Sequence, residues 1–116
     1  MHSKTSYAKG IFAETLARMY LRMHGFRILS NRYITGRNTN RAEIDIIAKR
    51  KNLVIFVEVK CHKTTESAWA SIGPAQRGRL RRAAESYLGK TKWTGDARYD
   101  VILVQGFKII WIKNAI

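Results

Sequence analysis

Hydrophobic and polar positions follow two periods along this chain, and the switches between them mark out its elements. From about Tyr7 to His24, Phe12, Leu16, Met19 and Met23 recur at three- and four-residue spacing, as on one face of an α-helix. Ser6 is placed to cap the start, and Gly25 to take the left-handed position after the end. That stripe is expected to be core. A second stripe, Gly10, Glu14, Ala17 and Leu21, has small residues that would let a neighbour approach closely, with Glu14 pointing into the contact. A solvated Glu14 is the alternative.

Strand-like periodicity begins at Phe26 and continues to Tyr33, followed by a polar, basic, glycine-containing loop from Thr35 to Arg41. Ala42 to Ala48 and Leu53 to Cys61 then read as a hairpin about Lys49-Arg50-Lys51-Asn52. Simple alternation puts Glu43, Asp45 and Ile47 on one face and Ile44 and Ile46 on the other. It likewise sets Val54, Phe56, Glu58 and Lys60 against Ile55, Val57 and Val59. Both faces are apolar, as in central strands covered on each side.

His62 to Gly73 reads as a polar connection holding Trp69. Gly73-Pro74 opens a helix to about Leu88, with Leu80, Ala83, Ala84, Tyr87 and Leu88 toward the sheet and Gln76 one turn earlier on the same side. Arg98 to Gln105 and Phe107 to Ile112 are two further strands. The expected architecture is α/β: a central mixed β-sheet of about five strands flanked by helices. At 116 residues it fits one domain.

Charge changes the picture. Lys and Arg number 22 against 8 Asp and Glu, a formal net charge of +14. A domain this small and basic points to nucleic acid, whose binding is dominated by neutralised phosphates and released counterions. Arg37, Arg41, Lys63, Arg77, Arg79, Arg81 and Arg82 are the candidate phosphate contacts, with a solvated basic face as the alternative for the helix arginines. Trp69 and Trp93 are candidates for base stacking, whereas Trp111, inside an apolar strand, reads as core. A docking surface for an acidic protein is a weaker reading of the same charge. No apolar run approaches the ~20 residues of a membrane span, and the N-terminus lacks the apolar core of a signal peptide. Cys61 is the single cysteine, so no intrachain disulfide forms. A cytoplasmic protein without a membrane partner is expected.

The hairpin carries the chemistry. Ionised side chains on otherwise apolar strands must be paired, bind metal or face water. Hydrolysing a phosphodiester needs a hard cation on carboxylates and positive charge opposite the developing negative charge. Asp45, Glu58 and Lys60 supply those parts, and Glu58 and Lys60, two apart on one strand, share a face. Whether Asp45 meets Glu58 depends on register, and structural ion pairs among Glu43, Asp45, Glu58 and Lys60 are the alternative.

Asp45 followed after twelve residues by Glu58-Val59-Lys60 looks like the PD-(D/E)xK pattern of restriction-endonuclease-like nucleases. More of the chain resembles the bacterial YraN-like family. The residues are Gly10, Glu14, Ala17, Leu21 and Gly25-Phe26; Ile28-Leu29, Asn31 and Tyr33; Glu43-Ile44-Asp45 and Ile47-Ala48; Phe56 to Lys60; Gln76-Arg77, Leu80, Ala83-Ala84 and Tyr87-Leu88; and Tyr99 to Ile102. That family is similar to archaeal Holliday-junction resolvases.

The resemblance implies a restriction-endonuclease-like fold and a metal-dependent endonuclease, using Mg2+ or Mn2+, that cuts DNA and prefers branched or junction structures. Asp45 and Glu58 would hold metal and Lys60 would be the catalytic lysine. Glu14 would add a carboxylate and Gln76 a polar group. Glu43 would be a further acidic member or an ion-pair partner. Junction cutting would suit a homodimer. The alternative is a nucleic-acid-binding protein that keeps the fold and cuts nothing. Two residues depart from the family pattern: Ala42 where glycine is usual, and Cys61-His62 where a Thr-Arg pair is common.

Overall fold

The computed structural model describes residues 3–36, 41–61 and 64–115, so the expectations for Arg37 and for Lys63 fall outside the described residues. Helix α1 spans Ser3–Met23 and ends before Gly25, whose φ of +86° turns the chain into the sheet as expected. The helix starts at Ser3, three residues before the expected cap position at Ser6. The strands are β1 (Arg27–Thr35), β2 (Ala42–Arg50), β3 (Leu53–Lys60), β4 (Asp96–Gln105) and β5 (Lys108–Ile112). They form one sheet in sequence order, antiparallel except between β3 and β4. A parallel pair needs a long crossover, and here α2 (Thr65–Ala70) and α3 (Pro74–Thr91) provide it. The sheet is mixed and five-stranded, as the patterning predicts.

One helix lies against each face. On the first face Ala13, Ala17 and Leu21 of α1 meet Ile46, Ala48, Ile55, Val57, Ile102 and Val104. On the second, Leu80, Ala83 and Ala84 of α3 meet Ile44, Ile47, Val54 and Phe56. The α3 face is the expected one; the α1 face is not. Phe12, Met19 and Met23 are exposed, and the stripe of small residues is the one turned inward. Leu16 of the expected stripe, partly buried, does pack against this core; alanines let the helix axis come close to the pleated surface, with Leu21 fully buried between them.

The region expected to be a polar connection contains the short helix α2, and Trp69 lies on it, not in a loop. The β2–β3 turn is tighter than expected, closing at Lys51-Asn52 with Lys51 at φ 54°. The larger departure is in β2 itself. Ile44 and Ile46, two residues apart, pack on opposite faces of the sheet, so alternation breaks at Asp45. In β1 the paired residues Asn31↔Ile46 and Tyr33↔Ile44 flank Arg32, which sits at φ 55°, a left-handed conformation that costs a non-glycine residue about 1 kcal/mol. The register shift between the two strands lies further back, between Ile28 and Ser30, so across Arg32 they keep step residue for residue and the left-handed arginine stands opposite the skipped alternation.

Candidate functional site

Asp45 stands at that break. The β2–β3 ladder runs from Arg50↔Leu53 to Ile46↔Val57. One residue further on, the Asp45 carboxylate, not a β2 carbonyl, accepts the Val59 N–H at 2.8 Å. Beyond the end of the ladder a side chain thus answers a strand N–H, and the carboxylate lies toward β3.

The partner is Glu58, buried at 6% exposure on β3 and near enough for its charge to act on Asp45. Lys60 Nζ lies 3.1 Å from Glu58 Oε2, and Gln76 Nε2, at the start of α3, donates to the same oxygen at 2.8 Å. Register therefore does bring Asp45 to Glu58, and helix α3 delivers Gln76 to the cluster, both as the sequence argument required. Lys60 is largely buried, which strengthens its attraction to Glu58 relative to a surface pair.

The electrostatics of the pair are adverse. Burial raises Asp45 first, then the Glu58 charge, with smaller contributions from Glu14 and Glu43. The Val59 N–H opposes them, and the carboxyl rests at about 8 instead of 3.8. Burial also raises Glu58, against the pull of Lys60 and of hydrogen bonds from Lys60, Asp45 and Gln76. Two carboxylates desolvated side by side are short of positive charge. Oxygen donors of this kind suit a hard divalent cation, which would hold both in their ionised form.

The outer carboxylates are arranged differently. Glu14 reaches toward the site from α1 and is bonded by Arg32 Nε at 3.2 Å, so the left-handed arginine of β1 also neutralises this acid. Glu43 is half-exposed and 4.0 Å from Arg41, the ion-pair role among those considered for it. Among the described residues no three His, Cys, Asp or Glu side chains converge to hold a metal. A cation here would take two carboxylates from the chain and complete its shell with water and substrate oxygens, as Mg2+ commonly does.

The basic residues divide. Arg77, Arg79, Arg81 and Arg82 are exposed along α3. Arg79 and Arg41 line a cavity of about 180 Å³ with Glu43 and Gln76, next to the carboxylate pair. Trp93 is anchored and partly exposed: it packs against the α3 core, its Nε1 donates to the Asp96 carbonyl at 2.9 Å, and it lines a cavity with Tyr87. Trp111 packs against the α1 core, as expected. Of the Trp69 side chain nothing is described. Cys61 is exposed beside Lys60.

Sequence reasoning missed Arg32 and Asp100. Asp100 is fully buried on β4, where Arg98 Nε and Nη2 donate to it at 2.8 Å each, Trp111 Nε1 at 2.9 Å and the Asn114 N–H at 2.9 Å. An aspartate in an apolar strand with an arginine two residues earlier, on the same face, was the available signal for this structural pair.

Among the described residues no helix is long and apolar enough to cross a membrane. The family model described as "Uncharacterised protein family UPF0102" matches residues 13–104. A UPF0102 protein of Paramagnetospirillum magneticum is 37% identical over 103 residues, covering 87% of this chain and 80% of that protein. Another, from Rhodopseudomonas palustris, is 39% identical over 101 residues, covering 85% and 76%. A third, from Shewanella sp. strain W3-18-1, is 36% identical over 110 residues, covering 91% and 96%.

Proposed function

The chain belongs to family UPF0102, the family its YraN-like motifs resemble, and from that premise we propose that it is a metal-dependent endonuclease hydrolysing DNA phosphodiesters. One observation carries the reading: Asp45 and Glu58, buried together and short of positive charge, lie beside Lys60 on a domain of net charge +14. In this reading Asp45 and Glu58 hold Mg2+ or Mn2+. A cation held there would supply the Lewis acidity that phosphodiester hydrolysis needs at neutral pH. Lys60 stabilises the charge developing on the phosphorus oxygens. Gln76 fixes the Glu58 carboxylate through its 2.8 Å bond, and exposed arginines of α3 hold neighbouring phosphates. The resemblance to junction resolvases makes branched DNA the substrate to test first.

The test is a panel of linear, flap and four-way DNAs incubated with Mg2+ or Mn2+. Cleavage by the wild type that is lost in both Asp45→Asn and Lys60→Ala supports the reading. No cleavage of any substrate, or equal cleavage by all three proteins, sinks it.

A second reading, nucleic-acid binding without cleavage, is favoured by the absence of any third metal-ligating side chain at the pair among the described residues. It predicts salt-sensitive DNA binding that Mg2+ leaves unchanged and no heat of Mg2+ binding that depends on Asp45.

A further inference from the structure

The opposite end of the β2–β3 hairpin holds a second charge imbalance, of the other sign. Arg27 of β1 and Lys49 of β2 are direct cross-strand partners. Like charges in that position repel, and neither has an ion-pair partner among the described residues. Both line two adjoining cavities. One, of about 270 Å³, adds Arg50 and Lys51 with the backbone at Gly25, gathering four cations. The other, of about 210 Å³, adds Leu29, Val54, Tyr87, Thr91 and Trp93. No carboxylate lines either. The two halves differ: one is cationic throughout, the other has an apolar and aromatic wall. Lys49 joins them, its Nζ 5.0 Å above the Trp93 ring.

We infer that these cavities form one cleft that takes a nucleotide, its base against Trp93 and Tyr87 and its phosphates among Arg27, Lys49, Arg50 and Lys51. Together they have the size of a small-molecule cleft, roughly 300–1,000 Å³. A phosphate between Arg27 and Lys49 removes their repulsion, and a planar base fills a wall that an inorganic anion would leave wet. The cleft is a separate site from the carboxylate pair. Val54 and Glu58 stand four residues apart on β3, about 13 Å, and α3 runs from Gln76 at one site to Tyr87 and Thr91 at the other. The nucleotide can be a free one or part of a strand whose backbone continues along α3.

The experiment is titration calorimetry in EDTA, so that no divalent cation on Asp45 and Glu58 contributes. The probes are adenosine 5′-diphosphate, pyrophosphate as its base-free counterpart, and a 5′-phosphorylated tetradeoxynucleotide. Base contact should make the diphosphate nucleoside at least ~10-fold tighter than pyrophosphate. Thr91→Glu, at an exposed position on the cavity wall, should weaken it by a further factor of about 10 without changing the far-UV spectrum or melting temperature by more than a few degrees. Lys49→Ala should weaken both nucleoside diphosphate and pyrophosphate. Tighter binding of the free nucleotide than of the tetranucleotide identifies a free ligand, and the reverse identifies a strand. Equal affinity for nucleotide and pyrophosphate, no binding of either nucleotide probe, or binding indifferent to Thr91→Glu and Lys49→Ala overturns the inference.

Discussion

Asp100 and Asp45 are both withdrawn from water on strands of one sheet, yet the chain treats them in opposite ways. Asp100, fully buried, accepts two hydrogen bonds from Arg98, one from the Trp111 indole and one from the Asn114 backbone. Asp45 receives one backbone N–H and is set against Glu58, with Glu14 and Glu43 adding to the repulsion. A buried ion whose lone pairs are all answered from within the chain is a structural device. One left short of donors beside another carboxylate is held in place for something outside the chain to complete. Burial is common to both; the supply of donors distinguishes them.

The comparison can be broken most forcefully at Asp100. Asp100→Asn leaves the half-buried Arg98 without its counterion and should lower stability by about 3–5 kcal/mol, read as a large fall in melting temperature. If the melting temperature is unmoved, Asp100 does not hold the sheet. Asp45→Asn should instead fold normally and reduce DNA cleavage by about 10²–10³-fold, measured in single-turnover assays. Residual activity near wild type would place the chemistry elsewhere.

The same substitution sharpens the contrast through stability. In the folded chain the Asp45 carboxyl keeps its proton to about 8, against 3.8 for the free group. Folding therefore takes up a proton between those pH values, and this contribution is complete below about 4 and lost as pH rises through about 8. In EDTA the wild-type melting temperature should fall across that window and the Asp45→Asn slope should be flatter, with the Asp45→Asn variant the more stable by about 1–3 kcal/mol at pH 8. Mg2+ or Mn2+ added at pH 8 should raise the melting temperature of the wild type and not of the variant. Parallel pH profiles would mean that Asp45 is ionised in the folded state. The smallest effect belongs to Gln76→Ala, which removes one donor to Glu58 and should weaken cation affinity or activity roughly 10-fold, seen by calorimetry.

Much of this was legible along the chain. The three-residue phase of Leu80, Ala83 and Ala84 set the inner face of α3, and Gln76 followed from the same phase. The dyad repeat put Glu58 and Lys60 together. What escaped reading depended on contacts with distant segments. Of the α1 stripe of Phe12, Leu16, Met19 and Met23, Leu16 reaches the core in part, while the other three have too much bulk for a helix pressed against a sheet, and Ala13 and Ala17 take their place. Alternation in β2 could not reveal that Ile44 and Ile46 face opposite ways, because the break coincides with left-handed Arg32 in the neighbouring strand, which the β2 sequence does not contain. The donors to Asp100 include Trp111 and Asn114 across the last hairpin, which no local pattern announces.

The parallel pairing of β3 with β4 also orders events in time. β1, β2 and β3 follow one another as an antiparallel meander, so Asp45 and Glu58 can meet through short chain closures. β4 can join only after the chain through α2 and α3 has been brought round, a longer closure with a larger entropic barrier. The repelling carboxylates thus lie inside the meander and Asp100 with its donors inside the β4–β5 hairpin, and only the joining of these two parts waits for the long crossover. A cation captured by the meander would favour the nascent hairpin before the second half of the sheet has docked, and refolding rates measured with and without Mg2+ would register that early partnership.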